Sequence, residues 1–265
     1  MAPGADLLMR FPSFLLVLLA ACGAVGCQPG GSTPSADVAR QSSEYIASWA
    51  DMGMYLPDAK QVGFFREHFD ELRPELVAAL SAPESAVQQR AAYVIDEIGG
   101  SARACGPDLL RRLQENPERL IRMYLINALA SVGYDDPNAI GELQRRYKTL
   151  SRENVPRGMF ASEYDDVDER INVAAALYRL VPVEDRDEYR EFVTQWLEPP
   201  GDGLSSRELN GYTERRWHAV IVLEYMPGAY EAIEPLDKMR QEEDAPAWVE
   251  VHVPRVLKAL MSKPE

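Results

Sequence analysis

The chain is poor in the residues from which metal and nucleophile sites are built, with three histidines and three cysteines in 265 residues. His68, His218 and His252 stand far apart, and no His-x-x-x-His or Cys-x-x-Cys pair exists, so a zinc site has no local support. Segments of the form G-x-S-x-G, G-x-x-x-x-G-K-[ST] and G-x-G-x-x-G are missing too, which leaves hydrolase, nucleotide and dinucleotide chemistry without a motif. We therefore assign no catalytic residue, no metal ligand and no cofactor from the sequence. Positive charge is scarce: 28 Lys and Arg face 42 Asp and Glu, a formal net charge of −14. A nucleic-acid binder needs basic surface to displace counterions from phosphates, and a polybasic grip on anionic lipid needs the same. No apolar run reaches the roughly 20 residues that span a bilayer.

The longest apolar stretch is "FLLVLLAACGAVGC", Phe14 to Cys27. A short apolar segment that runs into small residues reads as a secretory signal rather than a spanning helix. Within it, Leu19-Ala20-Ala21-Cys22 resembles the lipobox of bacterial lipoproteins. The resemblance implies that the Cys22 thiol receives diacylglycerol and that Cys22 becomes the first residue of the mature chain. Asp6 offsets Arg10 ahead of the apolar run, whereas a start at Met9 gives "MRFPSFLLVLLAAC", a complete signal of this kind. The alternative site Ala24-Val25-Gly26-Cys27 lacks the leucine three residues before the cysteine. Gly23, not Asp, follows Cys22, and by the family resemblance this leans towards the outer membrane. The expectation is a signal peptide at 1–21, a lipidated Gly/Pro/Ser-rich tether at 22–36, and a lipid-anchored protein on the periplasmic face of the cell envelope. Loss of 1–21 removes one acid and one base, so the mature chain keeps the charge of −14. Cys27 and Cys105 then remain as thiols; a disulfide between them is permitted but not required, and Cys105 reads as a small buried hydrophobe.

Further on, the sequence repeats. "PELVAAL" at Pro74 and "PDLLRRL" at Pro107 carry leucine at the same two places. Each is followed by an apolar-periodic segment that ends in glycine, at Gly99 and Gly133. Val87, Ala91, Val94, Ile95 and Ile98 fall on one helical stripe, as do Ile121, Tyr124, Leu125, Ala128, Leu129 and Val132. Pro74 and Pro107 read as helix starts, Gly99 and Gly133 as left-handed stops, and Asn116-Pro117 and Asp136-Pro137 as N-cap followed by first helical residue. "ERINVAAALYRLVP" from Glu169 and "ERRWHAVIVLEYMP" from Glu214 align without a gap, and a last pair ends in "AWVEVHVPRVLKALM", where Pro254 is expected to kink the helix. These antiparallel pairs resemble HEAT repeats, whose second helix carries an apolar-Arg pair before small apolar residues. Ile121-Arg122 matches that pair. Val87-Gln88 departs by Gln, while Glu169-Arg170 and Glu214-Arg215 keep only the Arg. The resemblance implies an all-α, right-handed α-solenoid of about five helix pairs over 72–265, with capping helices in 37–71.

Two groups of residues are candidates for partner binding. Arg122, Arg170 and Arg215 occupy equivalent places on second helices; as i,i+4 partners of Glu118 and Asp166, the first two also read as rungs of a structural ladder. Aromatic residues lie in or beside the two insertions at 153–166 and 198–211: Met159, Phe160, Tyr164, Tyr212 and Trp217. They read either as binding anchors or as a cover folded back on the array. The acidic run "EYDDVDER" reads as a helix start, with Asp165 as N-cap and Asp166, Asp168 and Glu169 in the first turn, not as a calcium loop. Together these point to a membrane-anchored, non-enzymatic protein-binding scaffold whose acidic surface selects basic partners. A motif-less lyase or hydrolase built from scattered acidic and aromatic residues, or a purely architectural envelope protein, remains open.

Overall fold

The computed structural model describes residues 33–53, 55–115, 117–150, 166–201, 203–242 and 245–261. Cys22, Cys27, Asn116, Met159, Phe160, Tyr164 and Asp165 lie outside the described residues. Contacts divide the chain between Thr33 and Pro34, and all elements described below belong to the second unit, Pro34–Glu265. Every regular element among the described residues is helical. None of these helices is long and apolar enough to cross a membrane.

Local chemistry accounts for most boundaries. Helices α1 (Ala36–Trp49) and α2 (Ala59–Glu67) start on Ser35 and Asp58, whose side chains accept from the Val38 and Gln61 amides. Helix α3 (Phe69–Ala79) follows after a break at His68, so Pro74 lies inside a helix and does not start one. The proline faces solvent there, and the hydrogen bond it forfeits to the Asp70 carbonyl is the only local loss. The division expected between capping helices and repeats, at 71/72, falls within α3. Helix α4 (Ser85–Ile98) stops at Gly99 with φ +70°, as the sequence implied. Helix α5 (Gly106–Gln114) has Pro107 in its first turn. Helix α6 (Arg119–Ser131) begins two residues later than Pro117 suggested, with Glu118 as N-cap. It ends in a Schellman motif: Gly133 (φ +65°) donates to the Ala130 carbonyl and Tyr134 to that of Leu129, both at 3.1 Å.

Helix α7 (Pro137–Thr149) starts on Asp136 as expected, the side chain accepting from the Asn138 amide at 2.8 Å. Helices α8 (Asp166–Leu180) and α9 (Asp187–Thr194) follow, the latter continued by a 3-10 turn, Gln195–Leu197. Helix α10 (Ser206–Val222) opens with a capping box of Ser205 and Glu208, so much of the insertion at 198–211 is helical. A second 3-10 turn, Leu223–Tyr225, leads to α11 (Ile233–Arg240) and α12 (Ala247–Met261), with Pro254 inside the last.

The even-numbered helices pack in succession: α4 against α6, α6 against α8, α8 against α10, and α10 against α12. Alongside them α3 rests on α4, α5 on α6, α7 and α9 on α8, and α11 on α12. Helix α8 is the centre of this packing, and every residue from Val167 to Tyr178 is buried. That burial takes in Asp168, Glu169, Arg170 and Asn172, which an amphipathic helix would turn to water.

An arginine recurs at the helix ends. The guanidinium of Arg112 donates to the Leu80 carbonyl (3.0 Å), Arg146 to Leu113 (2.9 Å), Arg170 to Leu150 (2.6 Å) and Arg216 to Leu197 (3.0 Å). Each leucine closes or nearly closes an odd-numbered helix or its 3-10 continuation. Arg90 does the same for the connection after α1, donating to the carbonyls of Gly53 (2.5 Å) and Tyr55 (3.0 Å).

Two consequences are testable. A β-carbon on Gly106 would sit 2.1 Å from Cδ2 and 2.3 Å from Cγ of Tyr134, so the ring or the helix would have to shift. Gly106→Ala should lower stability by about 1–3 kcal/mol through overpacking, despite the better helix propensity of alanine, measurable as a reduced urea midpoint. Cys105 is fully buried and unpaired, and desolvation pushes its thiol up to about 12. Its alkylation in the native protein should be slow and should accelerate on addition of denaturant; fast labelling in buffer would contradict the burial.

Candidate functional site

Polar networks interrupt the apolar core, and two of them are centred on Glu169 and on Asp96. Glu169 is fully buried in the first turn of α8. Arg122 of α6 grips it with two parallel hydrogen bonds, Nε to Oε1 at 2.9 Å and Nη2 to Oε2 at 2.6 Å. Arg146 of α7 adds a third at 3.1 Å, and the Nε of Arg119 lies 3.6 Å from Oε2. Each arginine has a further acceptor: Arg122 the Pro117 carbonyl, Arg146 the Glu142 carboxylate, and Arg119 the Asp166 carboxylate. Three helices thus meet on a single carboxylate.

Of this network the sequence singled out Arg122 and placed Glu169 in a first turn, but pointed to neither Arg146 nor Arg119. Glu118, the expected i,i+4 partner of Arg122, instead accepts from the Ser85 hydroxyl at 3.2 Å, while Asp166 serves Arg119. The ladder therefore runs between helices. Arg170 is buried with its guanidinium 3.9 Å from the centroid of the Tyr147 ring and 4.9 Å from that of Phe192. Arg215 is equally buried, 5.9 Å from the Trp196 ring. Neither presents a charged head to solvent.

Tyr212 and Trp217 are half-buried. The Tyr212 hydroxyl donates to the Glu198 carbonyl at 3.1 Å while its ring packs on Trp196 at 5.4 Å. Trp217 lies between two of the three histidines, with His218 at 6.5 Å and His252 at 6.3 Å between ring centres. His218 meets Asn172 of α8 through Nε2, and Asn172 donates to the Met123 carbonyl at 3.5 Å. His68 stands apart at the α2–α3 break, against Phe64. Among the described residues no group of three or more His, Cys, Asp or Glu side chains is placed to hold a metal ion.

The second network was not foreseen. Asp96 lies near the end of α4, between Ile95 and Ile98, and is 8 % exposed. Ser131 at the end of α6 donates to one carboxyl oxygen, and Tyr225, in the turn after α10, donates to the other at 2.8 Å. Burial is the largest influence on Asp96 and, with a smaller push from neighbouring Glu97, holds its carboxyl up at about 6 against 3.8 ordinarily. Burial also raises the Tyr225 and Tyr124 phenols, pushes Tyr93 up to about 12, and lowers the nearby Arg179 guanidinium. The only sequence signal was one acid set among the isoleucines of an apolar stripe.

Comparison with family models, with curated proteins and with solved structures gave no match. The chemistry is therefore read from these residues alone. A carboxyl that titrates near 6 has the acidity of a general acid or base, but both oxygens of Asp96 are engaged and the group is buried. Glu169 is likewise committed on both oxygens. Both networks hold helices together.

Removing one member of such a network leaves charge uncompensated in the core. Glu169→Gln should destabilise the protein by about 3–5 kcal/mol, because Arg122 and Arg146 would then face each other across a neutral amide. A denaturation midpoint within experimental error of the wild type would show that the arginines find other acceptors.

Proposed function

We propose that this protein is a non-enzymatic, protein-binding scaffold, held to the bacterial cell envelope by acylation of Cys22 and built as a right-handed HEAT-like solenoid. In this reading α3/α4, α5/α6, α7/α8, α9/α10 and α11/α12 are five antiparallel pairs, with α1 and α2 as the cap. The observation that carries it is the succession of contacts from α4 through α6, α8 and α10 to α12, each even-numbered helix seating on the next. A recurrent arginine contact supports the same unit, since in this grouping the odd helix of each of the first four pairs ends on a carbonyl that accepts from an arginine, from Leu80 to Leu197.

The binding role rests on what is left for the surface to do. Glu169 is committed to Arg122 and Arg146, and Asp96 to Ser131 and Tyr225. Exposed apolar side chains do occur where the second insertion enters α10, at Leu204 (37 %) and Leu209 (42 %). With Phe160 and Tyr164 of the first insertion they make the anchors of the proposed interface, and the acidic surface favours a basic partner. Tyr212 and Trp217, both half-buried, would contribute to this surface from the same helix, α10. Acylation would confine the scaffold to the membrane plane and raise its concentration near other envelope proteins.

The test combines mass, location and crosslinking in intact membranes. The expected result is a chain that begins at Cys22 with a lipid-sized mass increase, lost together with membrane association in Cys22→Ala. A crosslinked protein partner should weaken in the double variant Leu204→Ser, Leu209→Ser. An unmodified, soluble chain would remove the anchoring, and a wild type that crosslinks to nothing would remove the scaffold.

A further inference from the structure

The hydrogen bond between Tyr225 and Asp96 joins residues 129 positions apart. Tyr225 ends the 3-10 turn that follows α10, and that turn also rests on α6, α8 and α12. Its partner is on α4, which also packs on α6. The bond therefore ties the end of one helix to a helix several elements earlier.

We propose that Asp96 and Tyr225 form a proton-controlled clasp: with a proton on Asp96 the turn after α10 is held onto α4, and loss of the proton loosens it. The inference does not rest on the scaffold reading.

The geometry supplies both parts of the device. Asp96 is bonded to two hydroxyls, Ser131 on one oxygen and Tyr225 on the other, and both donors are neutral. A buried carboxylate whose direct partners are neutral carries much of its desolvation penalty uncompensated, so the neutral acid suits the closed site better. The other groups facing it do not reverse this. Tyr93 and Glu97 come from its own helix, Tyr124 from α6, Arg179 from α8, and Glu224 lies beside Tyr225. Glu97 repels the charge, and Arg179, the one cation among them, has the smallest influence. Hydroxyls also tolerate both protonation states: Ser131 or Tyr225 accepts when the carboxylic acid donates. Beyond the turn, Gly228 at φ +83° gives the backbone a place to pivot, while Tyr178 of α8 holds the adjoining Pro227 carbonyl by a long bond of 3.4 Å.

Linkage sets the direction. In the closed state burial holds the Asp96 carboxyl up at about 6, and in an opened state, with water around it, the group returns toward 3.8. The closed state thus binds the proton more tightly. Its advantage is complete below the lower value and is lost as the pH rises through the higher one. Moving from about pH 7.5 to about pH 5 should shift the closed-to-open ratio about tenfold towards closed.

Hydrogen exchange of the full chain reads this directly, on peptides that cover residues 223–229, after correction for the intrinsic pH dependence of exchange. The wild type should gain about tenfold in protection between about pH 7.5 and about pH 5. Asp96→Asn, neutral at both, should show no such change, and Tyr225→Phe should be weakly protected at both. Protection in the wild type that does not vary with pH would overturn the clasp, as would a change of equal size in Asp96→Asn. That comparison stands on its own should Tyr225→Phe fold poorly.

Discussion

A helix that stops inside a protein leaves carbonyl oxygens that must find donors, and in this chain arginine supplies them at one junction after another. Leu80, Leu113, Leu150 and Leu197 lie at or next to the end of an element, and each carbonyl receives a guanidinium N–H from a later helix. The remaining N–H groups of the same side chains reach other targets: Gln88 for Arg112, Glu142 and Glu169 for Arg146, Glu242 for Arg216. One side chain thereby satisfies a terminus and joins its own helix to another element. Lysine could not do both, because its donors radiate from a single atom, whereas the guanidinium fork is planar and spread out.

This arrangement explains why α8 can be polar and yet central. Its first turn brings Glu169 to arginines from α6 and α7, so the negative charge enters the core with its countercharges already in place. Replacing the whole set with apolar residues would cost little or even stabilise; breaking it costs a great deal. Such a network selects one register of α6, α7 and α8, because a slip by one turn would separate the carboxylate from Arg122. Asp96 follows the opposite logic, with hydroxyl partners and a distant cation, and its ionised form is the strained one.

The helical nature of the chain was legible in its apolar stripes, and so were the ends that depend on local chemistry: Gly99, Gly133 and Asp136 each sit where residue type alone dictates. Pro74 and Pro117 misled for a physical reason. Proline tolerates more than one place near a helix start, and an exposed mid-helix proline survives when the rest of the helix is packed, as α3 is through Leu72 and Leu76. The arginines at positions 122, 170 and 215 were recognised as a set, but burial is a tertiary property, and i,i+4 spacing pointed to partners on the same helix when better ones lay on the next. Asp96 and Tyr225 could not be paired from sequence, since nothing local links residues so far apart. Phe160 and Tyr164 remain a reading of sequence.

Charge ties the interior to the surface. Among the described residues Arg90, Arg146, Arg170, Arg215 and Arg216 are buried, against Asp96, Asp168 and Glu169 among the acids, so burial withdraws more positive than negative charge from solvent. The arginines that knit the helices are withdrawn from any role in attracting anions. A surface of this sign is repelled by anionic headgroups, with a range set by the Debye length of roughly 8 Å at physiological salt. A composition of this sign disfavours an electrostatic hold on anionic lipid for the same reason that it disfavours nucleic acid.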